Sequence, residues 1–247
     1  SSELLEKYQH KWTEEKKCTH LHRIQASVKR MTQLLNDVLI IGKADAGKLE
    51  FNPAPLALEY FCHNLVEELQ LNDTKQHNIT FLVGNREWGV GSGETTNSSR
   101  ASGFDSMPFS PTVHSLAQQS GADSPLPTKL PCMDEKLLRQ ILENLVSNAI
   151  KYSPAGSTVE LTLNCVSNQA VFQIRDRGIG IPMEDQQRLF ETFHRASNVG
   201  TVAGTGLGLA IVKRCVDIHQ GQIAMESEIG VGTTFTVTLP IYNSLVR

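Results

Sequence analysis

Four polar residues that follow Asp134 have the types and the spacing to bind an anionic ligand. They lie at i, i+4, i+7 and i+8, so one face of a helix would carry all four: Asn144, Asn148, Lys151 and Tyr152. An ammonium group attracts anions, and an Asn carbonyl is a hard oxygen ligand that Mg²⁺ accepts while it keeps its waters and binds phosphate oxygens. The pattern predicts one wall of a pocket for an anion, and an exposed polar helix face is the alternative.

A turn with two glycines follows a predicted strand and has the sequence Asp176-Arg177-Gly178-Ile179-Gly180-Ile181-Pro182. Glycine lets the backbone approach a flat ligand closely. A buried Asp176 at this position could accept a hydrogen bond from an exocyclic amine. The turn is a candidate for a second wall of the pocket, and a structural turn capped by Asp176 is the alternative.

A second glycine-rich segment opens a predicted helix and has the sequence Gly204-Thr205-Gly206-Leu207-Gly208-Leu209. Glycines at a helix N-terminus expose backbone N–H groups and the positive end of the helix dipole to phosphate. The spacing differs from the G-x-G-x-x-G fingerprint, and the chain has no G-x-x-x-x-G-K-[ST] loop and no H-R-D and D-F-G pair. The segment predicts phosphate binding outside the dinucleotide-binding, P-loop and common protein-kinase folds.

The residues just before this segment have the composition of a lid. Phe190 and Phe193 form an aromatic pair, Arg195 is a cation, and small residues fill most of positions 196–203 before the glycines. A short stretch of small residues next to a glycine hinge suits a mobile lid. We expect Arg195 to lie near phosphate.

Both helices and strands are predicted to position these motifs. Helices are predicted at residues 56–71, 134–152 with Asp134 as the cap, 183–190, and from 206 or 207 to near 219–221 with Gly221 as C-cap. Strands are predicted at residues 79–83, 158–165, 170–175, 222–227 and 233–239, and the second and third of these are predicted to pair as a hairpin around Asn168. Helices and strands do not alternate strictly, so we expect an α+β fold, a two-layer α/β sandwich with a mixed sheet and helices on one face.

A long helical hairpin segment is expected to precede this sandwich. Its main helix has an a/d seam with steps of 3 and 4 residues and Thr13 as N-cap: Leu21, Ile24, Val28, Met31, Leu35 and Val38. The end of an earlier helix is predicted near Leu4 and Leu5. The seam could pack on the downstream domain or complete a helical bundle with a second chain, and its periodicity favours the bundle.

Length and composition are those of a globular protein. The chain has 247 residues, 40% apolar and 20% charged, with a net charge of −3. These values exclude a fibrous or wholly disordered chain and give no electrostatic case for nucleic acid as a partner. The longest aliphatic run, at residues 38–41, is far too short for a membrane span, and the N-terminus has no signal-peptide pattern.

Two further features are interpreted as passive. Residues 91–128 are rich in Ser, Thr, Gly and Pro and lack a hydrophobic period, so we predict a disordered insert at about 88–129. The five cysteines are widely spaced and form no C-x-x-C motif. We interpret them as reduced and mostly buried.

In this order and spacing, the motifs resemble the ATP-binding domain of sensor histidine kinases, whose superfamily includes the gyrase, mismatch-repair and heat-shock chaperone ATPases. Residues 144–152 resemble the N box and 176–180 the first glycine box. Residues 190–193 resemble the F box, 204–209 the second glycine box and 230–235 the closing box. The resemblance covers residues 52–241 except the insert. Residues 13–51 resemble the second helix of the family's dimerisation and phosphoacceptor bundle.

The resemblance implies a domain division: a partial dimerisation and phosphoacceptor hairpin at 1–51 with its first helix truncated, an ATP-binding catalytic domain at 52–241, and a tail at 242–247. It implies ATP and Mg²⁺ as cofactors and a response-regulator receiver domain as partner. It also implies a homodimer through the bundle in the full-length protein. The chain would be cytoplasmic, or the cytoplasmic part of a longer sensor.

The resemblance also implies roles for individual residues. Asn148 would ligate Mg²⁺ and Asn144 would support the site, while Lys151 and Arg195 would pair with phosphate. Asp176 would bind the adenine amine with support from Thr233. The remaining expected ATP-binding residues come from the same boxes: Tyr152, Gly178, Gly180, Ile181, Phe193, Gly204, Thr205, Gly206, Leu207 and Gly208.

The implied activity is transfer of the γ-phosphoryl of ATP to a His and then to an Asp of a response regulator. Hydrolases of the superfamily have a general-base Glu where this chain has Asn144, which argues against simple ATP hydrolysis. However, none of the eight histidines is followed by Asp or Glu, as the family's phosphoacceptor motif requires. We therefore expect the phosphoacceptor His to be missing from this chain. A non-catalytic ATP-binding or dimerisation module, or a truncated gene fragment, remains the alternative.

Overall fold

The computed structural model describes residues 13–74, 76–86, 130–202 and 204–242. Its α-helices are α1 (Glu14–Asp45), α2 (Leu58–Asn72), α3 (Glu135–Tyr152), α4 (Met183–Gln186) and α5 (Gly208–Ile218), with a 3₁₀ turn at Ser197–Val199. Its strands are β1 (Ala54–Pro55), β2 (Asn78–Arg86), β3 (Cys132–Met133), β4 (Thr158–Val166), β5 (Gln169–Arg175), β6 (Gln222–Glu228) and β7 (Gly232–Pro240). The predicted helix at the N-terminus, the predicted insert and most of the predicted tail lie outside the described residues.

Five strands form one mixed sheet in the order β2-β4-β5-β7-β6. β2 pairs with β4 in parallel, and the other three pairs are antiparallel. Buried and exposed residues alternate along β4 and β5, so one face of the sheet is apolar. Helices α2, α3 and α5 cover that face and form a single core with it. The predicted two-layer α+β sandwich with a mixed sheet is confirmed.

Helix α1 has two different surroundings along its length. Thr13 caps it through a hydrogen bond from the backbone N–H of Lys16. Near its C-terminus, Ile40 and Ile41 pack against the core, and Asp45 forms an ion pair of 2.8 Å with Arg214 of α5. Five of the six predicted seam residues are between 49% and 66% exposed: Leu21, Val28, Met31, Leu35 and Val38. The downstream domain therefore covers the C-terminal end of the helix and leaves the seam open.

Two predicted details differ from the structure: the length of α4 and the C-cap of the last helix. The helix predicted at residues 183–190 is a single turn, α4, and residues 187–190 continue as turns, with the Arg188 N–H donating to the carbonyl of Asp185 at 3.0 Å. The last helix ends at Ile218, and Gln220 rather than Gly221 adopts the left-handed φ of +56°. Gly221 is needed for a different reason, since a Cβ atom there would lie 2.5 Å from the carbonyl oxygen of Thr238 in β7.

The cysteine prediction holds for four of the five residues. Cys62, Cys132, Cys165 and Cys215 are buried, Cys18 is exposed, and none is in a disulfide. Burial raises the pKa of the Cys62 and Cys215 thiols to about 12. Among the described helices, none is both long enough and apolar enough to cross a bilayer.

Candidate functional site

Helix α3 supplies one wall of a cavity of about 310 Å³. Asp134 fixes the start of the helix, because its Oδ1 accepts the backbone N–H of Leu137 and its Oδ2 accepts that of Asn52. Seven apolar residues of α3 are buried in the core. The four predicted polar residues of α3 line the cavity: Asn144, Asn148, Lys151 and Tyr152.

Contacts within this wall fix two of its side chains. The amide of Asn144 donates to the carbonyl of Gln140, 2.8 Å away, which directs its Oδ1 towards the start of α5. A Cβ atom on Gly208 would lie 2.7 Å from that Oδ1, so glycine permits the close packing of α5 on α3. The Lys151 ammonium donates to the Tyr152 hydroxyl at 2.9 Å. Helix α3 and the positive N-terminal end of α5 therefore meet at this end of the cavity.

The opposite end of the cavity is organised around Asp176, at the end of β5. Its Oδ1 accepts the backbone N–H groups of Gly178 and Thr233, at 2.7 and 3.2 Å. Burial raises the pKa of this carboxyl, and the two hydrogen bonds oppose that shift. Both hydrogen bonds that the described residues donate to the carboxylate go to Oδ1. Oδ2 therefore has the capacity to accept a hydrogen bond from a ligand.

A hydroxyl that sequence analysis missed supports this end of the cavity. Ser227 of β6 accepts the backbone N–H of Ile181 at 2.9 Å and lies 3.1 Å from the carbonyl oxygen of Gly232 and 2.9 Å from the hydroxyl of Thr233. It joins the turn after β5 to the start of β7. A serine within an alternating strand carries no signal of such contacts, since 46 residues separate it from Ile181.

A loop whose described residues are 194–202 and 204–205, here called the lid loop, is held together at its two ends. The backbone N–H of Phe193 donates to the carbonyl of Gly206 at 3.0 Å. Gly206 has a φ of +72°, and a Cβ atom there would lie 2.6 Å from the carbonyl carbon of Phe193. Glycine is therefore required at this junction, which we call the neck, by both conformation and space. Thr205 accepts the backbone N–H of Leu207 at 3.2 Å, next to the start of α5.

The lid loop contributes Arg195 to the cavity lining. Its guanidinium donates to the carbonyl of Val202, within the same loop. The side chain therefore bridges the two limbs of the loop over the cavity.

Of the predicted ligand-binding residues, all but three line this cavity; the others are Gly178, Phe193 and Leu207. Gly178 is buried behind Asp176 and donates to it. Leu207 is fully buried in the core. The Phe193 side chain is 68% exposed, and its backbone closes the neck. Each of these residues supports the cavity through packing or backbone contacts and does not line it.

Sequence analysis also missed two lining residues on helix α1, Gln33 and Asp37. The Gln33 amide donates to Asp37 Oδ1 at 2.8 Å, and Asp37 is 6% exposed. Burial raises the pKa of Asp37, against the effect of this hydrogen bond. The cavity is thus closed on one side by the N-terminal helix.

The side chains that line the cavity suit a magnesium ion that is bound mainly by the phosphates of a substrate and only in part by the protein. Asn148 offers an amide oxygen at the wall. Within the described part of the chain, no group of three or more His, Cys, Asp or Glu residues could hold a metal on its own. A single amide ligand suits Mg²⁺, which usually retains waters and binds substrate phosphates.

Comparisons with known proteins agree with this geometry. Residues 133–243 match the family described as histidine kinase-, DNA gyrase B- and HSP90-like ATPase. The sensor histidine kinase WalK of Bacillus subtilis is 30% identical over 220 residues, covering 87% of this chain and 29% of WalK. The adaptive-response sensory kinase SasA of Thermosynechococcus vestitus is 28% identical over 225 residues, covering 90% of this chain and 48% of SasA. The chain thus spans less than half of either relative.

A solved structure is similar over nearly the whole chain. Full-length ShkA in complex with AMPPNP aligns with a TM-score of 0.65 and 26% identity, covering 96% of this chain and 41% of ShkA. Residues 133–243 therefore belong to the family of histidine kinase-, DNA gyrase B- and HSP90-like ATPases, and the relatives of the chain are sensor histidine kinases.

Proposed function

We propose that the chain is the ATP-binding kinase core of a sensor histidine kinase. It binds Mg-ATP and transfers the γ-phosphoryl group to a His, from which it passes to an Asp of a response regulator. One observation carries the proposal: a carboxylate, an amide-bearing helix face and a glycine-rich helix start line the same cavity. The AMPPNP in the ShkA complex supports an adenine nucleotide as the ligand of such a cavity.

The base of the nucleotide binds at the Asp176 end. Oδ2 of Asp176 accepts a hydrogen bond from the exocyclic amine of adenine, while Oδ1 keeps its hydrogen bonds from the backbone N–H groups of Gly178 and Thr233. Gly180 and Ile181 line the same end and contact the flat face of the ring. Backbone N–H groups keep the carboxylate oriented before the ligand arrives, which reduces the entropy cost of binding.

The phosphates bind at the other end, between α3 and the start of α5. Lys151 and Arg195 neutralise phosphate charge, and the glycines at 204, 206 and 208 allow the backbone N–H groups to approach. Asn148 holds Mg²⁺, with Asn144 supporting the site. The ion, when bound, neutralises charge on the phosphate oxygens.

The chemistry of this end favours phosphoryl transfer over hydrolysis. Position 144 holds an amide, which cannot act as a general base for water. Among the residues that the structure describes, the carboxylates lining the cavity are Asp37, on α1, and Asp176, at the adenine end. Transfer to an imidazole requires mainly positioning and charge neutralisation, which the wall residues supply.

The remaining parts of the proposal concern the whole protein. Residues 1–51 form part of a dimerisation and phosphoacceptor hairpin, and residues 52–241 form the catalytic domain. The open seam of α1 supports a homodimer through a helical bundle, because five of its apolar residues are about half exposed or more. A receiver domain is the second partner.

One observation favours a second function. None of the eight histidines is followed by an acidic residue. The chain would then act as an ATP-binding and dimerisation module without autokinase activity. Incubation with γ-labelled ATP and a separate His-containing phosphoacceptor domain distinguishes the two functions. A kinase core transfers acid-labile label to the His of that domain, whereas the module binds ATP and transfers none.

Titration with ATP in the presence of Mg²⁺ tests the site itself. Asp176→Asn and Asn148→Ala should each weaken binding by at least about tenfold, since each removes a buried or charge-assisted contact. Asp217→Asn is the control, because this carboxylate lies on α5 in an exposed ion pair with Lys213. Chelation of Mg²⁺ should weaken ATP binding to the wild-type protein more than to Asn148→Ala. Unchanged affinity in both site variants would refute the proposed site.

A further inference from the structure

The carboxylate of Asp185, on helix α4, makes several close polar contacts with the start of the lid loop. Its Oδ2 accepts both the backbone N–H and the hydroxyl of Ser197, at 2.7 and 2.8 Å. Its Oδ1 lies 3.4 Å from Nε2 of His194. The side chains of Asp185 and His194 are 13% and 11% exposed. A single carboxylate therefore contacts both ends of the segment 194–197.

The helix that carries Asp185 is itself attached to the sheet. The Gln186 amide donates to the carbonyl of Ile181 at 2.9 Å and to that of Ser227 in β6 at 3.2 Å. The Asp185 backbone N–H donates to the carbonyl of Pro182 at 2.9 Å. The carboxylate thus projects from a support that is fixed relative to the adenine end of the cavity.

The segment that Asp185 holds belongs to the cavity wall, whereas Asp185 does not. His194, Arg195 and Asn198 all line the cavity. A second contact, from the Asn198 amide to the carbonyl of Gly180 at 2.9 Å, holds the same segment against the turn after β5. The hydrogen bonds from Ser197 lower the pKa of Asp185, which keeps the carboxylate ionised.

We infer that Asp185 is a positioning residue of the nucleotide site, whose carboxylate holds the first turn of the lid loop so that Arg195 faces the phosphates. The inference rests on the proposed ATP-binding function and assigns a role to a residue outside the cavity. Asp185 acts on the phosphate end because its contacts are to residues 194–197. The adenine end keeps its own contacts through Asp176 and Thr233.

The test compares the binding of Mg-ATP and of adenosine to the full chain. Asp185→Asn keeps the size of the side chain but removes its charge and one acceptor. We expect it to weaken ATP binding by about tenfold, the size expected for the loss of charge-assisted hydrogen bonds, and adenosine binding by no more than about twofold. Glu184→Gln, on the same helix turn, is the matched control and should bind both ligands as the wild-type protein does.

A second variant keeps the test independent of folding defects. Ser197→Ala removes the hydroxyl and leaves the backbone N–H, so ATP affinity should fall by a smaller factor than in Asp185→Asn. Equal losses for ATP and adenosine in Asp185→Asn, or no loss of ATP affinity in either variant, would overturn the positioning role. A wild-type protein that binds neither ligand would instead overturn the proposed function.

Discussion

Gly206→Ala should weaken ATP binding by opening the neck of the lid loop. A left-handed φ costs a residue with a Cβ atom about 1–2 kcal/mol. In addition, the Cβ atom would lie 2.6 Å from the carbonyl carbon of Phe193, and ordinary van der Waals contact begins at 3.4 Å. Backbone on both sides of the neck must therefore move apart, and the hydrogen bond from Phe193 to Gly206 is lost.

A variant of Gly156 separates the cost of the left-handed φ from the cost of the close contact. Gly156 has a similar φ of +76°, but no atom lies within 4 Å of the position of its Cβ. Gly156→Ala therefore carries the conformational cost without the displacement of the backbone. The lost hydrogen bond and the displacement together cost Gly206→Ala about 2 kcal/mol more. This difference corresponds to about 30-fold in ATP affinity.

The assay is calorimetric titration of each variant with Mg-ATP, together with thermal unfolding in the absence of nucleotide. We expect Gly206→Ala to lose more stability than Gly156→Ala, because of the displaced backbone and the lost hydrogen bond, and only Gly206→Ala to lose affinity. If Gly206→Ala binds ATP within about threefold of Gly156→Ala, the neck does not control the phosphate end.

Three further predictions follow from contacts elsewhere in the site and core. Ser227→Ala should weaken adenosine and ATP binding by the same factor, about tenfold, because it removes the acceptor for the Ile181 N–H at the adenine end; an effect on ATP alone would contradict this. Asp37→Asn should raise the melting temperature at neutral pH, because burial raises the pKa of this carboxyl and ionisation therefore opposes folding. The gain should disappear as the pH falls through the normal aspartate range, and a gain that persists in acid would contradict the assignment. Iodoacetamide should alkylate Cys18 alone in the folded protein and all five cysteines in denaturant, as counted by mass spectrometry; modification of Cys62 or Cys215 in the folded protein would contradict their burial.

Local sequence signals predicted the elements whose ends and faces are defined by nearby residues. Helix α3 begins at Glu135 as Asp134 indicated, and its polar residues share one wall because a helix fixes their spacing. The hairpin of β4 and β5 turns at Asn168, where φ is +64°. These features depend on contacts within a few residues of one another.

Contacts between distant segments could not be predicted in this way. Ser227 and Asp185 have no local pattern, and their roles depend on the packing of strand β6 and helix α4 against loops far along the chain. Phe193 and Leu207 were predicted to bind ligand because they belong to matching motifs. A motif does not indicate whether a residue contributes a side chain to the cavity or a backbone group behind it.

The position of helix α1 has a consequence for communication through the molecule. The same helix carries the exposed seam and two residues of the cavity, Gln33 and Asp37. Successive residues of an α-helix are about 100° apart around its axis, so a small axial rotation would withdraw Asp37 from the cavity. Equilibria that share an element are linked reciprocally, so nucleotide occupancy biases that rotation to the same extent that rotation alters affinity. A turn of α1 would therefore change the lining of the proposed nucleotide pocket.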